Sequence, residues 1–323
     1  MDNQYSEIRK DYRTGYYAII VPGRDHRPKE LEIEDKGAEN LKNCPFEPNT
    51  VDRINLEIMH VNEPWTTMVI KNKFPELEGF TPLEYGKGFF TSISGYGYNE
   101  VLIESPNHYD KFESMDTKKS LEWLNTLIER EEALYSRNYI KHVMVFKNYG
   151  ASGGASIGHP HTQIIAWPEV LGTTAIEIEN AKNYLKENNS CIYEDAIKKE
   201  GGRILFETEK IAAIAPYGSR FAGESMILTK RHVNYMIELS QDEKEEVVEG
   251  LKKIIQINKK LFGEQSYNFV IHENKLETDY HLHIEIYPRL SNLAGIELGQ
   301  NVFVNTMVPE DYVKKFKEEV TSI

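Results

Sequence analysis

Cysteine, basic charge and long apolar runs are all scarce in this chain. Cys44 and Cys191 are its two cysteines in 323 residues. That is too few for the multi-bridge framework of a small secreted domain, so a reducing cytoplasm is the expected compartment. Lys and Arg number 38 against 51 Asp and Glu, a formal net charge of −13. With no basic stripe to meet a phosphate backbone, the balance argues against nucleic-acid partners. No apolar stretch approaches the roughly 20 residues of a membrane span, and the opening Met-Asp-Asn-Gln-Tyr-Ser-Glu lacks a signal peptide's hydrophobic segment. Low-complexity linkers are missing too. What is present is 40% hydrophobic and 11% aromatic content, enough to build the cores of two soluble modules.

Glycine is concentrated where it carries information. Phe146-Lys-Asn-Tyr-Gly-Ala-Ser-Gly-Gly-Ala-Ser-Ile-Gly-His159-Pro-His161-Thr-Gln163 sets Gly150, Gly153, Gly154 and Gly158 directly before histidines at alternate positions. Small residues let backbone N–H groups approach phosphate oxygens, and Ser156 adds a hydroxyl donor. Residues 162–167 read as a buried strand, whose geometry sends His159, His161 and Gln163 to one face. A neutral imidazole nitrogen can attack an α-phosphorus and displace a sugar phosphate or pyrophosphate. The product is a covalent nucleotidyl-histidine that a second phosphate-bearing substrate resolves. That role falls to His161. Gln163 stands where a third alternating histidine would offer a general acid or base; its amide can hold an oxyanion but cannot shuttle protons, which tilts the site from hydrolysis toward transfer. Arg24, Arg27 and Lys147 are the cations available to such a phosphate site. A glycine-rich run alone reads as a mobile turn, and His-Pro-His alone as two surface histidines. Adjoining each other and followed by an apolar strand, they favour function.

The chain also repeats. Sliding it on itself by 124 positions superimposes His108 on His232, Asn148 on His272, His159 on His283 and His161 on Glu285. Each half then runs from an apolar strand through a histidine-bearing turn to a long helix, a second strand, a loop and a histidine strand. Ser240-Gln-Asp-Glu243 is a capping box ahead of Val247, Val248, Leu251, Ile254, Ile255 and Leu261, an apolar stripe at helical spacing. Its counterpart begins near Asp116-Thr117 and buries Leu121, Leu124, Leu127 and Ile128. On this register Glu285 occupies the nucleophile's place, and the loop from Glu273 to Tyr280 has lost glycines and gained acids, so only the first half keeps a phosphate cradle. The boundary falls in the polar stretch 182–202, with a short helix through 181–185, giving modules at 1–185 and 186–323. Residues 309–320 read as a terminal helix with Tyr312, Val313, Phe316 and Val320 inward.

The segment 146–163 resembles the active-site signature of the galactose-1-phosphate uridylyltransferase branch of the histidine-triad superfamily. The likeness extends along the chain. Residues 9–28, with Arg24 and Arg27, resemble the family's opening strand and nucleotide-contacting arginines. Cys44-Pro-Phe-Glu47 resembles a zinc-knuckle start, and Val69-Ile-Lys-Asn72 the uridine-contacting asparagine segment. Ser105-Pro-Asn-His108 and Tyr280-His-Leu-His283-Ile-Glu285-Ile-Tyr-Pro288 complete the set. The resemblance implies an α+β fold of two tandem histidine-triad-like modules, each an antiparallel sheet with a long packing helix, the first catalytic and the second degenerate. It implies zinc on Cys44, Glu47, His108 and His159, with Glu47 where the family commonly has a second cysteine; a carboxylate oxygen can complete a tetrahedral zinc site. A second metal, iron or zinc, would use Glu177, His272 and His283, with His281 or Glu285 nearby.

Carried over residue by residue, the resemblance makes His161, Gln163 and Ser156 catalytic. Arg24, Arg27, Asn72, Asn148, Gly150, Gly153, Gly154 and Glu297 would bind substrate. The implied reaction, in galactose metabolism, moves uridylyl from UDP-glucose to His161, releases glucose 1-phosphate, and passes the uridylyl group to galactose 1-phosphate. Leu293-Ala-Gly295-Ile-Glu297-Leu-Gly299 keeps only the glycine and glutamate of the hexose-contacting pattern. Together with Pro309-Glu-Asp and Gln163-Ile-Ile-Ala it is closer to ADP-glucose phosphorylase relatives, in which inorganic phosphate resolves an adenylyl-histidine. The alternative is thus an ADP-glucose or dinucleoside-polyphosphate phosphorylase. A nucleotide-sugar sensor without turnover is a third reading, disfavoured by the joint retention of Asn148, the glycines, Ser156, His161 and Gln163. The partners expected are a nucleotide sugar with a sugar 1-phosphate or phosphate, and a second copy of the chain in a homodimer, with neither nucleic acid nor membrane.

Overall fold

The runs 98–103, 142–149 and 161–167 alternate residues that pack under helices with residues that face the opposite side, and all three become strands of one sheet. A computed structural model describes residues 5–22 and 44–321; Arg24 and Arg27 lie outside the described residues. In chain order the elements are β1 (Glu7–Lys10), β2 (Tyr17–Ile20), α1 (Arg53–Leu56), β3 (Glu57–Val61), β4 (Thr67–Lys71), β5 (Tyr85–Gly86), β6 (Ser92–Ile93), β7 (Tyr98–Ile103), α2 (Thr117–Tyr135), β8 (His142–Tyr149) and β9 (His161–Trp167). There follow α3 (Gly172–Asn188), α4 (Ile192–Lys199), β10 (Ile204–Glu207), β11 (Ile211–Ile214), β12 (Ser225–Thr229), α5 (Gln241–Phe262), β13 (Tyr267–His272), β14 (His283–Pro288), α6 (Gly295–Gln300), β15 (Val302–Asn305) and α7 (Pro309–Thr321). The fold is α+β.

Ten strands form a single antiparallel sheet in the order β10-β11-β12-β14-β13-β8-β9-β7-β4-β3. Read outward from the β13–β8 seam, the two flanks mirror each other, which is the duplication expressed as topology. The seam pairs Tyr267 with Tyr149 and Asn268 with Asn148, and the two tyrosine rings stack at 4.7 Å. No break separates the halves there, because β8 and β13 hydrogen-bond as any neighbours in a sheet do.

Two long helices cover one face. Asp116 caps α2 by accepting from the Lys119 N–H, and Ser240 with Glu243 forms the capping box of α5. Each cap satisfies amide donors that the first helical turn leaves free. Trp123, Leu124 and Leu127 from α2 and Val248, Leu251 and Ile255 from α5 bury against Val145, Ile164, Phe269, Ile271 and Ile284 of the sheet. Each such side chain contributes about 1.5–3 kcal/mol relative to exposure. α7 packs on α5, its Tyr312 hydroxyl donating to Asn258 at 2.7 Å. A separate sheet, β1-β2-β15, ties the N-terminal segment to the C-terminal one.

The opposite face divides the halves. Over the second half, α3 and α4 bury Ile178, Ile192 and Tyr193 against Ile214, Met226 and Leu228. The bridge is therefore two helices, Gly172–Asn188 and Ile192–Lys199, longer than the short helix expected at 181–185, because Thr174, Glu177, Ile178 and Ala181 all turn inward. Over the first half, Cys44, Phe46 and Trp65 pack on Met68, Ile70, Val101 and Ile103, and among the described residues the surface beside β8 and β9 is a cleft.

Register corrects the expected repeat. Phe146 pairs with Gln163 in the first half and Val270 with Glu285 in the second, while Val270 lies opposite Phe146 across the seam. The chain from Val270 to its partner Glu285 is two residues shorter than that from Phe146 to its partner Gln163. The structural counterpart of His161 is accordingly His283, that of Gln163 is Glu285, and that of His159 is His281. The gap-free shift of 124 holds for β8 and the helices and fails at the histidine strands.

Candidate active site and candidate metal clusters

A cleft of about 450 Å³ opens where β8 and β9 emerge from the sheet, lined by residues that include Asn148, Gly150, Gly158, His159, Pro160 and His161. His161 is 7% exposed. Its Nδ1 lies 2.8 Å from the His159 carbonyl, and since a carbonyl only accepts, Nδ1 carries the proton and Nε2 keeps the lone pair. Burial above all, then the nearby Lys147 ammonium, pulls the imidazole down to about 4. The ring is thus neutral at ordinary pH and nucleophilic at Nε2.

The strand beneath is braced from the helix face. Trp123 Nε1 donates to Thr162 Oγ1 at 3.0 Å, and Thr162 Oγ1 donates to Glu104 at 2.7 Å. Lys147 donates to Glu104 at 2.6 Å and to the His161 carbonyl at 3.0 Å. Lys147 was an expected phosphate cation. In the structure its ammonium is 2% exposed and engaged with Glu104 and the backbone, so it holds the nucleophile's strand in place.

The glycine loop behaves as its composition requires. Gly150 and Gly154 have φ of 73° and 84°, a left-handed region that costs side-chain-bearing residues energy. A Cβ on Gly153 would lie 2.9 Å from the Tyr267 carbonyl, so the loop packs directly on β13. Ser156 and Gly154 are exposed and do not line the cleft. Gln163 follows His161 on the same side of β9, opposite Val101 and Phe146. Asn72 and Glu297 stand apart from the cleft. The Asn72 side-chain carbonyl caps the Phe74 N–H at 3.0 Å, and Glu297 accepts from the Ala294 and Val304 N–H groups around α6.

Beside His161, the ligand atoms of Cys44, Glu47, His108 and His159 lie within 4.8 Å of one another. His159 Nε2 donates to the Ser105 carbonyl at 2.7 Å, leaving Nδ1 for the cluster, 3.8 Å from Cys44 Sγ and 3.2 Å from Glu47 Oε1. His108 Nδ1 is 2.7 Å from the same carboxylate oxygen. A tautomer fixed by a carbonyl behind the ring is how proteins orient ligating imidazoles.

The second half reproduces this constellation in Cys191, Glu194, His232 and His281, again within 4.8 Å. His281 Nδ1 lies 3.6 Å from Cys191 Sγ while its Nε2 bonds the Thr229 carbonyl at 3.0 Å. His232 is raised to about 9, first through its hydrogen bond with Cys191, while burial holds His281 down to about 3. Sequence reasoning overlooked this set. The signal existed: Cys-Xaa-Xaa-Glu occurs at both 44–47 and 191–194, at a separation a fixed 124-residue shift does not align.

The expected set of Glu177, His272 and His283 also converges, with His272 Nδ1 2.9 Å from Glu177 and its Nε2 3.2 Å from Glu285. Glu177 Oε1, His272 Nε2 and His283 Nε2 are buried without a hydrogen-bond partner. Glu285 is ion-paired with Arg13 and with Arg220, the latter at 2.9 Å. The nucleophile's counterpart, His283, is therefore closed over by α3 and by the N-terminal segment, and is buried among the described residues.

Comparison with known proteins agrees with this geometry. Residues 1–170 match the family described as Galactose-1-phosphate uridyl transferase, N-terminal domain, and residues 110–323 match a domain of unknown function, DUF4921. ADP-glucose phosphorylase of Arabidopsis thaliana is 28% identical, over 98% of this chain and 94% of its own length. Galactose-1-phosphate uridylyltransferase of Thermotoga maritima is 27% identical, over 82% of this chain and 88% of its own. The crystal structure of the Arabidopsis thaliana ADP-glucose phosphorylase with bound ADP-glucose superposes with a TM-score of 0.84 at 26% identity, covering 98% of this chain and 99% of that one.

Proposed function

The chain belongs to the galactose-1-phosphate uridyl transferase family and is a nucleotidyltransferase, and on that premise we propose that it works through a covalent nucleotidyl-histidine on His161. The observation that carries the reading is the buried, neutral His161 with its Nδ1–H spent on the His159 carbonyl and its Nε2 free beside the cleft. Nε2 donates its lone pair to the α-phosphorus of a nucleotide sugar, the phosphorus–oxygen bond to the sugar phosphate breaks, and the sugar 1-phosphate leaves with that electron pair. The imidazole becomes cationic, and the Nδ1–H to carbonyl hydrogen bond strengthens as it does. An oxygen of the second substrate then attacks phosphorus and returns the electron pair to Nε2. Asn148, Gln163 and loop amides orient the phosphate and stabilise its developing charge.

Two substrate pairs fit. The match over 98% of the chain to an ADP-glucose phosphorylase supports ADP-glucose as donor and inorganic phosphate as acceptor, and the Gln163-Ile-Ile-Ala and Leu293-to-Gly299 segments lean the same way. The family match over residues 1–170 supports UDP-glucose and a hexose 1-phosphate. Each donor is incubated with each acceptor and the products separated. Formation of ADP from ADP-glucose and phosphate supports the first pair, and UDP-galactose from UDP-glucose and galactose 1-phosphate the second. No turnover in any combination sinks the proposal.

Divalent cations belong to the same proposal, zinc being the ion the Cys/Glu/His/His donor sets suit at both Cys-Xaa-Xaa-Glu clusters. The ion would fix His159 Nδ1 and so the start of β9, and it supplies rigidity. The three orphaned atoms of Glu177, His272 and His283 fit a further ion, iron or zinc. A homodimer in the cytoplasm completes the reading; no helix among the described residues is long and apolar enough to cross a membrane.

A further inference from the structure

We propose that Asn268, a residue of the second module, is a positioning residue for nucleotidyl transfer in the first: its side-chain amide sets the orientation of Asn148 and clamps the glycine loop. This rests on the function proposed above. Asn268 lies opposite Asn148 across the seam. Its Nδ2 donates to the Gly153 carbonyl at 2.7 Å and to Asn148 Oδ1 at 2.8 Å.

The chemistry forces the direction of both bonds. A backbone carbonyl can only accept, so the Asn268 group facing Gly153 is the NH₂ and not the oxygen. The second hydrogen of that NH₂ reaches Asn148, which must therefore turn its own oxygen toward Asn268. Asn148 is left with its NH₂ as the free end, in the wall of the cleft that also holds His161. An amide donor suits a phosphate oxygen, whereas the flipped amide would present an acceptor and repel it. The relay Gly153 C=O, Asn268 NH₂, Asn148 C=O, Asn148 NH₂ thus converts a fixed backbone carbonyl in the loop into a fixed donor at the reaction centre. With the loop already resting on β13 at Gly153, the second module acts as the template on which the first module's cradle is held. That gives the seam a catalytic reason to stay intact as the second half loses its own open site.

Substitution separates this role from simple support. Asn268→Asp keeps the shape but can only accept, so it repels the Gly153 carbonyl and favours the flipped Asn148. Asn268→Ala removes the relay and lets Asn148 rotate. Asn268→Ser keeps a single donor. The readout is the rate of nucleotidyl-enzyme formation at saturating and at limiting ADP-glucose and UDP-glucose, in full-length protein with its thermal midpoint measured alongside. The expected order is wild type, then Ser, then Ala, then Asp, with the alanine variant slowed about tenfold or more at saturation. In an Asn148→Ala background the Asn268→Ala change should cost less than about threefold, because the two residues act through one chain of bonds. Rates within about twofold of wild type in Asp and Ala variants alike, multiplicative losses in the double variant, or losses that track the thermal midpoint alone overturn the inference. A wild type that forms no nucleotidyl-enzyme removes the functional reading itself, and the inference with it.

Discussion

His161 differs from an ordinary histidine in its protonation before it differs in anything else. An unperturbed imidazole with pKa about 6.5 is mostly protonated at pH 5.5, and a protonated ring cannot attack phosphorus. Burial and Lys147 bring His161 down to about 4, so its neutral fraction barely changes between pH 8 and pH 5.5. The rate of nucleotidyl-enzyme formation at saturating donor, measured by rapid quench, is expected to stay within about twofold across that range; a fall of about tenfold with a midpoint near 6.5 would contradict the assignment. At the residues proposed to hold metal, Cys44→Ser and Cys191→Ser should each remove about one bound divalent cation per chain, read by elemental analysis. Only Cys44→Ser should also slow His161, since His159 joins that cluster to the nucleophile's strand. Most of the first cluster was legible in the sequence, because Cys44, His108 and His159 sit in recognisable motifs. Cys191, His232 and His281 form the second by the same chemistry, but their link passes through a loop of different length and no fixed spacing announces it.

At the scale of elements, the strands, long helices and caps followed from local pattern, while contacts made between distant segments did not. The Asp116 cap of α2, the capping box of α5 and the apolar stripes of both helices are properties of neighbouring residues, so sequence displays them. Register between β13 and β14 depends on loop length and cross-strand pairing, and a two-residue difference was enough to move the nucleophile's counterpart from Glu285 to His283. Asn268 carries no local signal, its role arising only when β13 pairs with β8. Arg13, between β1 and β2, is a similar case. It is fully buried against Asp11, Glu224 and Glu285, so a residue near the N-terminus neutralises carboxylates of the second module. Arg13→Met should leave Asp11 without its buried cation and Glu224 and Glu285 with Arg220 alone, and lower unfolding stability by about 3–5 kcal/mol, read as a lower urea midpoint. A variant as stable as the parent would show that the segment does not close the second half.

For the whole molecule, duplication followed by division of labour accounts for the layout: one half keeps an open cleft, the other fills its equivalent with α3, α4 and Arg13, and the shared sheet lets the closed half support the open one. Phe74, Phe80, Phe89 and Phe90, all more than 80% exposed, lie between β4 and β7 on the first half. Such apolar exposure is unusual on a monomer's surface. We expect the proposed homodimer to bury them, so that Phe89→Ser combined with Phe90→Ser should shift the sedimentation profile toward monomer; an unchanged profile would place the interface elsewhere. The central claim is the covalent intermediate. Protein is incubated with ADP-glucose or UDP-glucose, quenched in alkali, where a phosphoramidate persists, and digested for peptide mass mapping. The expected result is a nucleoside monophosphate on the peptide containing His161, released sugar 1-phosphate equal to the number of sites, and neither from His161→Ala. Sugar 1-phosphate released undiminished by the alanine variant, or an adduct located on any other residue, would contradict it.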